Sequence, residues 1–188
     1  MLFKYETDRL LIKVCRPEDA KKVLDFYLRD KELFEKYEPD RMPNFYTANY
    51  QKKILKWEGN LLLKLESIRF YVFLKENSDI IIGTICIHNI TKGIYSTCEV
   101  GYKFSSDFQH QGYATEALDL ICNIIFKDLK LHRIEARVLP ENTQSMKLLA
   151  RLGFSCEGIS RECIYLHGRW EDHYMYSKLN REYTFDIS

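Results

Sequence analysis

The stretch FQHQGYATEAL, residues Phe108 to Leu118, sets Gly112 and Ala114 directly in front of a run with helical spacing. A helix start leaves backbone N–H groups without partners and gathers partial positive charge, so a first turn kept clear of bulky side chains can receive an anion. Gly112 and Ala114 keep this turn clear. One glycine stands where a dinucleotide fingerprint needs three, and no Gly-Lys-Ser/Thr follows as in a Walker loop. A site here would hold phosphates by main-chain contact without a lysine; alternatively, Gly112 only shapes a tight entry into the helix. Metal chemistry is not indicated: the six cysteines never form C-x-x-C, and His167 and His173 have no ligand pair nearby. Most of the cysteines sit in apolar runs and read as reduced, buried thiols.

The surrounding elements follow from periodicity. Arg9 to Val14 reads as a strand. Pro17, Glu18 and Asp19 suit a helix start, and Ala20, Val23, Leu24, Tyr27 and Leu28 share one face. From Asp30 to Tyr46 the pattern dissolves, with prolines at 39 and 43. Thr47 then caps a second helix whose face carries Tyr50, Ile54, Trp57, Leu61 and Leu65. Ile68 to Glu76, Ile80 to Ile90 and Ser96 to Phe104 are rich in β-branched and aromatic residues and are separated at hairpin lengths, which predicts an antiparallel meander. After residue 112 comes a helix of about five turns, with Ala114, Leu118, Ile121, Ile125 and Leu129 as its stripe. Arg133 to Leu139 is a strand, and Asn142 caps a short helix that turns Met146, Leu149 and Leu152 inward and ends at Gly153. Two last strands meet around HGRW.

With 188 residues, the chain reads as a single domain over residues 1–188. Hydrophobic residues make up 46% and charged ones 29%, with 28 basic against 27 acidic side chains, so no nucleic-acid or membrane surface is indicated. The N-terminus lacks the apolar core of a secretion signal and no apolar run reaches the roughly 20 residues of a membrane span, which predicts a cytoplasmic protein. The architecture is α+β, with a mostly antiparallel sheet and a strand-helix-strand crossover in its second half.

QHQGYA (Gln109 to Ala114) resembles the Q/R-x-x-G-x-G/A pattern of the GNAT N-acetyltransferase superfamily, and the following TEAL is typical of its Rim-type branch, the ribosomal-protein N-terminal acetyltransferases. ENTQSMKLLARLGF (Glu141 to Phe154) and HGRWEDHYMYSKL resemble that branch's later segments. The resemblance implies a GNAT-like mixed sheet flanked by helices, with a splayed parallel strand pair formed by Thr97 to Phe104 and Arg133 to Leu139. It implies acetyl-CoA as cosubstrate, its pyrophosphate on Gln109, His110, Gln111, Gly112, Tyr113, Ala114 and Thr115. Main-chain groups of Val100, Gly101 and Tyr102 would bind the pantetheine arm and stabilise the oxyanion, with Gly101 a site for the associated bulge. Asn142 resembles the pantetheine-binding asparagine and also suits a helix cap. Ser145 resembles the serine near the thioester sulfur. Leu149 stands where many members carry a tyrosine acid. A departing thiolate with a reference pKa of about 8.5 needs little protonation, so Ser145 or water would suffice.

Glu99 occupies the family's usual position for a carboxylate that draws the amine proton through water. Strict alternation puts Cys98, Val100 and Tyr102 on one face and Glu99 on the other. A lysine-like amine of pKa about 10.4 costs roughly 4 to 5 kcal/mol to deprotonate at pH 7, an α-amine near 8 about 1. The implied reaction is direct attack in a ternary complex, with a peptide or protein N-terminal α-amine as acceptor. A small-molecule acetyltransferase (polyamine, amino sugar or antibiotic) and a non-catalytic CoA-binding module are the alternatives. The acceptor would approach between Asp30 to Tyr46 and the YLHGRW turn, lined by Phe34, Tyr37, Tyr46, Tyr165 and Trp170. Arg161, Arg169 and Asp172 recur in the branch with a role open between function and structure. A homodimer is possible, as in related enzymes.

Overall fold

The computed structural model of the protein describes residues 3–184. Strands β1 (Lys4–Glu6), β2 (Leu10–Lys13), β3 (Ile68–Leu74), β4 (Asn77–Thr91), β5 (Thr97–Phe104), β6 (Arg133–Val138), β7 (Ser155–Leu166) and β8 (Arg169–Leu179) form one sheet. Their order is β1-β2-β3-β4-β5-β6-β8-β7. All neighbours are antiparallel except β5 and β6, the parallel pair joined through helix α4 (Tyr113–Lys127). Helices α1 (Ala20–Arg29), α2 (Lys31–Glu35) and α3 (Ala48–Leu63) precede the meander, and α5 (Thr143–Arg151) follows β6. Among the described residues no helix is long and apolar enough to cross a membrane.

Alternation sorts each central strand between two cores. Phe70, Val72, Ile85, Ile87, Cys98 and Val100 pack with Ala117, Leu118, Ile121 and Cys122 of α4. On the other face Tyr71, Phe73 and Ile81 pack with Val23, Phe26 and Tyr27 of α1 and Leu55 of α3. Four cysteines (15, 86, 98 and 122) are buried as expected, but Cys156 is exposed on the edge strand β7.

Several expectations change. The three-residue β1 is too short to show a period; it exists because it pairs with β2, Tyr5 opposite Ile12. Within the segment expected to be irregular, α2 forms one turn that buries Phe34. Thr47 caps α3 as expected, its Oγ1 accepting from the Tyr50 N–H at 3.3 Å. The buried face of α3, however, is Gln51, Leu55 and Leu62, about one residue round from the expected stripe, and Trp57 is 56% exposed. Two polar residues disguise the true stripe: Gln51 is buried because its amide donates to the Phe45 carbonyl at 2.7 Å, and Glu58 faces in to accept from Arg69 at 2.6 Å and Tyr71 at 3.1 Å. Helix α4 ends at Lys127, nearer four turns than five.

The expected bulge at Gly101 lies elsewhere. Gly101 stands in regular register opposite Cys86, whereas Asn89 and Ile90 of β4 lie between the pairs His88–Glu99 and Thr91–Thr97. Two residues on β4 thus face Cys98 alone, and Asn89 takes φ 52° to accommodate the extra residue. The parallel ladder is short. It pairs Thr97–Arg133, Cys98–Ile134 and Glu99–Glu135 and then stops, while β5 follows β4 to Phe104 and β6 follows β8 to Val138. The two strands therefore part beyond Glu99, as the splayed pair required.

Candidate active site

At the open end of the parted strands, a short turn (Ser106–Phe108) leads from β5 to α4. Buried Asp30, at the end of α1, fixes this turn: it accepts from Ser105 Oγ at 2.5 Å, Ser106 N at 3.1 Å and Ser106 Oγ at 2.6 Å. Gln109 and Gln111 spend their side-chain amides on the Phe104 and Asp107 carbonyls, at 3.4 and 3.1 Å, folding the loop back on itself. His110 is exposed at φ 60°. Gly112 has φ 82°, a left-handed conformation that disfavours any side chain. The first bond of α4 runs from Glu116 N to the Gly112 carbonyl at 3.0 Å. Among the described residues nothing accepts from the N–H groups of Gly112, Tyr113, Ala114 or Thr115. Four donors and the positive end of a 15-residue helix thus converge where Gly112 and Ala114 leave space.

A carboxylate in that turn would repel an anion, and Glu116 is one. Its charge is met from the turn between β1 and β2: Arg9 donates Nε to Glu116 Oε2 at 2.7 Å and Nη1 to the Gln111 carbonyl at 3.0 Å, and Thr7 adds a bond at 2.5 Å. Burial pushes the Glu116 carboxyl up, but the Thr7 and Arg9 hydrogen bonds outweigh it and hold it below the usual range. Beside the tip lies an open cavity of about 590 Å³, bounded by Gly112, Thr115, Glu116, Asp119, Arg151 and Leu152. Arg151, in the last turn of α5, reaches Thr115 Oγ1 at 3.4 Å and supplies a cation there.

Between the parted strands, β5 presents alternate residues to opposite faces. Toward α4 and α5 point Cys98, Val100 and Tyr102. The Tyr102 hydroxyl lies 2.6 Å from Ser145 Oγ. Burial pushes the phenol well above its ordinary value, so it stays protonated and can donate to the serine. Asn142 caps α5, its side-chain carbonyl accepting from Ser145 N at 3.1 Å.

Toward α1 and α3 points Glu99, whose side chain is only 11% exposed. Its Oε2 accepts from Arg137 of β6 and, at 3.2 Å, from the Asn89 amide. Directly across on β4 stands His88, whose Nε2 would lie 3.7 Å from a Cβ placed on Gly101. The imidazole thus rests over the one bare position of β5. It also borders a cavity of about 310 Å³ rimmed by Trp57, Glu58, Glu66 and Arg69.

The expected acceptor residues each have contacts of their own. Tyr46 gives its hydroxyl to Glu35 at 2.6 Å. Phe34 is core, its ring tilted against Phe26 with centres 4.9 Å apart. Tyr37 is half-buried beneath the Lys36 ammonium, 5.0 Å from its ring centre. Tyr165 and Trp170 pair on the β7–β8 hairpin with ring centres 5.5 Å apart, both exposed. The hairpin does meet the Asp30 to Tyr46 segment, through His167 and Asp40 at 2.8 Å. That segment is in turn latched to β5 by Glu38, paired with both Lys103 and Arg41. Asp172 accepts from the Glu162 N–H at 2.8 Å and steadies the irregular stretch of β7, a structural task. Arg169 pairs with Glu171, and Arg161 is exposed.

Four residues that the fold brings to the candidate site escaped the sequence reading: Arg9, Arg151, His88 and the side chain of Tyr102. The first two lie 103 and 39 residues from Gly112, so only the fold brings them in. Tyr102 was legible in part, because alternation put it on the Ser145 side of β5.

Comparison with known proteins accords with this geometry. Residues 9–155 match the family model described as an acetyltransferase (GNAT) domain. The probable N-acetyltransferase YjcK of Bacillus subtilis is 35% identical over 91% of this chain and 94% of its own. Among solved structures, the ribosomal-protein-S5-alanine acetyltransferase from Vibrio fischeri superposes with a TM-score of 0.90 at 31% identity, covering 96% of this chain and 98% of that one. Mycobacterium smegmatis RimJ, in complex with CoA-disulfide, superposes with a TM-score of 0.86 at 28% identity, covering 92% and 83%. A helix tip of unpaired amides set beside a parted parallel pair therefore has its explanation in descent: the chain belongs to the GNAT acetyltransferase family, as an N-acetyltransferase that uses acetyl-CoA.

Proposed function

We propose that the protein acetylates the N-terminal α-amine of a peptide or protein, by direct attack of the amine on acetyl-CoA within a ternary complex. The observation that carries this reading is the set of four unpartnered N–H groups at the start of α4, placed at the open end of the parted strands. There the pyrophosphate rests on the main chain of Gly112 to Thr115, with the loop backbone of Gln109, His110 and Gln111 around it. The pantetheine arm lies along Val100, Gly101 and Tyr102, where β5 no longer pairs with β6, and beside the side-chain amide nitrogen of Asn142, which has no partner among the described residues. A main-chain N–H of that stretch faces the carbonyl oxygen as it gains charge. Ser145, backed by Tyr102, donates to the departing thiolate. Glu99 supplies negative charge on the amine side.

The α-amine preference rests on two supports. Relatives such as the Vibrio fischeri S5-alanine acetyltransferase cover nearly the whole chain. Three of the four acidic residues that would draw a polyamine are already engaged, Glu35 with Tyr46, Glu38 with Lys103 and Arg41, and Asp40 with His167, which leaves exposed Glu32. A polycation would have to displace these partners.

The test is acetyl transfer to short peptides with free alanine or serine N-termini, against the same peptides N-blocked, a lysine side-chain amine and spermidine, with CoA binding followed by calorimetry. Acetylation of the free N-termini is expected. Faster acetylation of spermidine would transfer the reading to small molecules, and CoA binding with no transfer to any amine would leave a binding module.

A further inference from the structure

We infer that His88, and not Glu99, is the group that takes the proton from the acceptor amine. This rests on the acetyl-transfer reading above and concerns the same site.

Glu99 is poorly disposed for the task. Its Oε2 is held by Arg137 and Asn89, and its side chain is nearly buried. Protonating it would leave the Arg137 guanidinium beside a neutral acid in a partly buried setting. His88 has the opposite circumstances. Neither ring nitrogen hydrogen-bonds to any described residue, its ring borders the cavity under Trp57, and its Nε2 overhangs Gly101. Gly101 lies two residues past the last parallel pair, where the thioester carbonyl must sit if the arm runs between the strands. Any side chain at position 101 would separate the imidazole from that carbonyl.

The charged groups around the ring come from every packed element: Glu99 from β5, Arg69 from β3, Arg137 from β6, and Glu58 and Glu66 at the cavity rim. Burial keeps the imidazole below its ordinary value, with Arg69 and Arg137 in the same direction and Glu99 opposing. At neutral pH it is therefore a free base. In the reaction, the ammonium gives one proton to Nε2 and the freed lone pair attacks the thioester carbon. The C–N bond forms and then the C–S bond breaks. The nitrogen releases its second proton to water, the thiolate takes one through Ser145, and His88 returns its own to solvent through the cavity. One net proton is released. Glu99, facing the ring, stabilises the imidazolium while it lasts.

The decisive comparison is kcat/KM against pH for wild type, His88→Gln and Glu99→Gln, on whichever amine the wild type acetylates. CoA calorimetry and a thermal transition serve as checks on folding. His88→Gln is expected to lose about 10²-fold or more and its acid limb, with CoA affinity unchanged. Glu99→Gln is expected to lose less and keep the limb, displaced to lower pH because the charge that raised the imidazole has gone. A folded His88→Gln enzyme with wild-type rate and limb overturns the inference, as does loss of the limb in Glu99→Gln alone. Should His88→Gln not fold, imidazole ¹⁵N titration of the wild-type CoA complex decides: Nε2 without a proton at pH 7 supports the assignment, and a protonated ring refutes it. Wild-type enzyme that binds CoA but transfers to no amine would instead remove the underlying reading.

Discussion

Replacing Gly112 with alanine tests the helix-tip site with a magnitude set by backbone geometry. At φ 82° a Cβ meets its own backbone, at a cost of about 1–2 kcal/mol. The added methyl also comes within 3.3 Å of Arg9 Nη2, which can give way by a few tenths of an ångström. For a chain of this size such strain lowers Tm by roughly 2–8 °C. The effect on binding is separate. The free variant relieves strain by moving toward negative φ, which turns the Gly112 and Tyr113 amides away from the anion. Binding must then restore the left-handed turn, so the part of the strain that the free variant sheds, and that does not show as lost Tm, weakens binding instead; shed in full, about 1–2 kcal/mol, it would raise the Kd for CoA roughly 5- to 30-fold. Gly93→Ala is the matched control: φ is 72°, nothing lies within 4 Å of its Cβ, and it sits in the β4–β5 turn. Differential scanning calorimetry reads the strain that each free variant retains, and titration calorimetry should show a weakened Kd only for Gly112→Ala, the larger the smaller its loss of Tm. If both variants bind CoA like wild type, the unpaired amides do not hold the pyrophosphate and the site is misplaced.

Tyr102→Phe removes the partner of Ser145 Oγ and should lower kcat about tenfold while leaving CoA affinity alone, the size of one lost hydrogen bond; an unchanged kcat would mean that the thiolate is protonated from water without the pair. A further expectation concerns acid stability. Arg133 and then Ser177 hold the Glu157 carboxyl down to about 2 from 4.5. A depressed carboxyl contributes stability above its unfolded value and loses it as pH falls toward the folded one, so urea unfolding of Glu157→Gln should depend less on pH between 4.5 and 2 than wild type does. Its side chain is 42% exposed, so the difference should be small and diminished by salt; identical acid profiles would contradict the pairing.

The sequence made most visible what is local and periodic. The helix start at Gly112, the cap at Asn142 and the meander each depend on a few adjacent residues, and each appears where expected. The helix α3 was misread by one position because its inward stripe includes Gln51 and Glu58, polar residues whose partners, Phe45 and Arg69, are supplied by other segments. The bulge was misplaced for a related reason. A glycine in a strand marks a close approach as readily as an extra residue, and at Gly101 it is the approach of His88. Arg9 could not have been associated with Gly112 from spacing at all, since its meaning comes from the order of strands in the sheet.

Strand β5 explains how one short segment can serve both halves of a transfer reaction. A pleated strand sends neighbouring side chains to opposite faces, so Tyr102 meets Ser145 on the α5 side while Glu99 meets Arg137 and stands across from His88 on the α3 side. On the proposed reading, the groups that give a proton and the groups that receive one are thereby held apart by the thickness of a backbone. Gly101, between them, has no side chain on either face. The parting of β5 from β6 begins next to it, which leaves that edge of the backbone unpaired where the proposal lays the acyl arm. On the proposed reading, a side chain at 101 would obstruct this arrangement without removing any group that performs chemistry, which makes the glycine part of the site although it carries no function of its own.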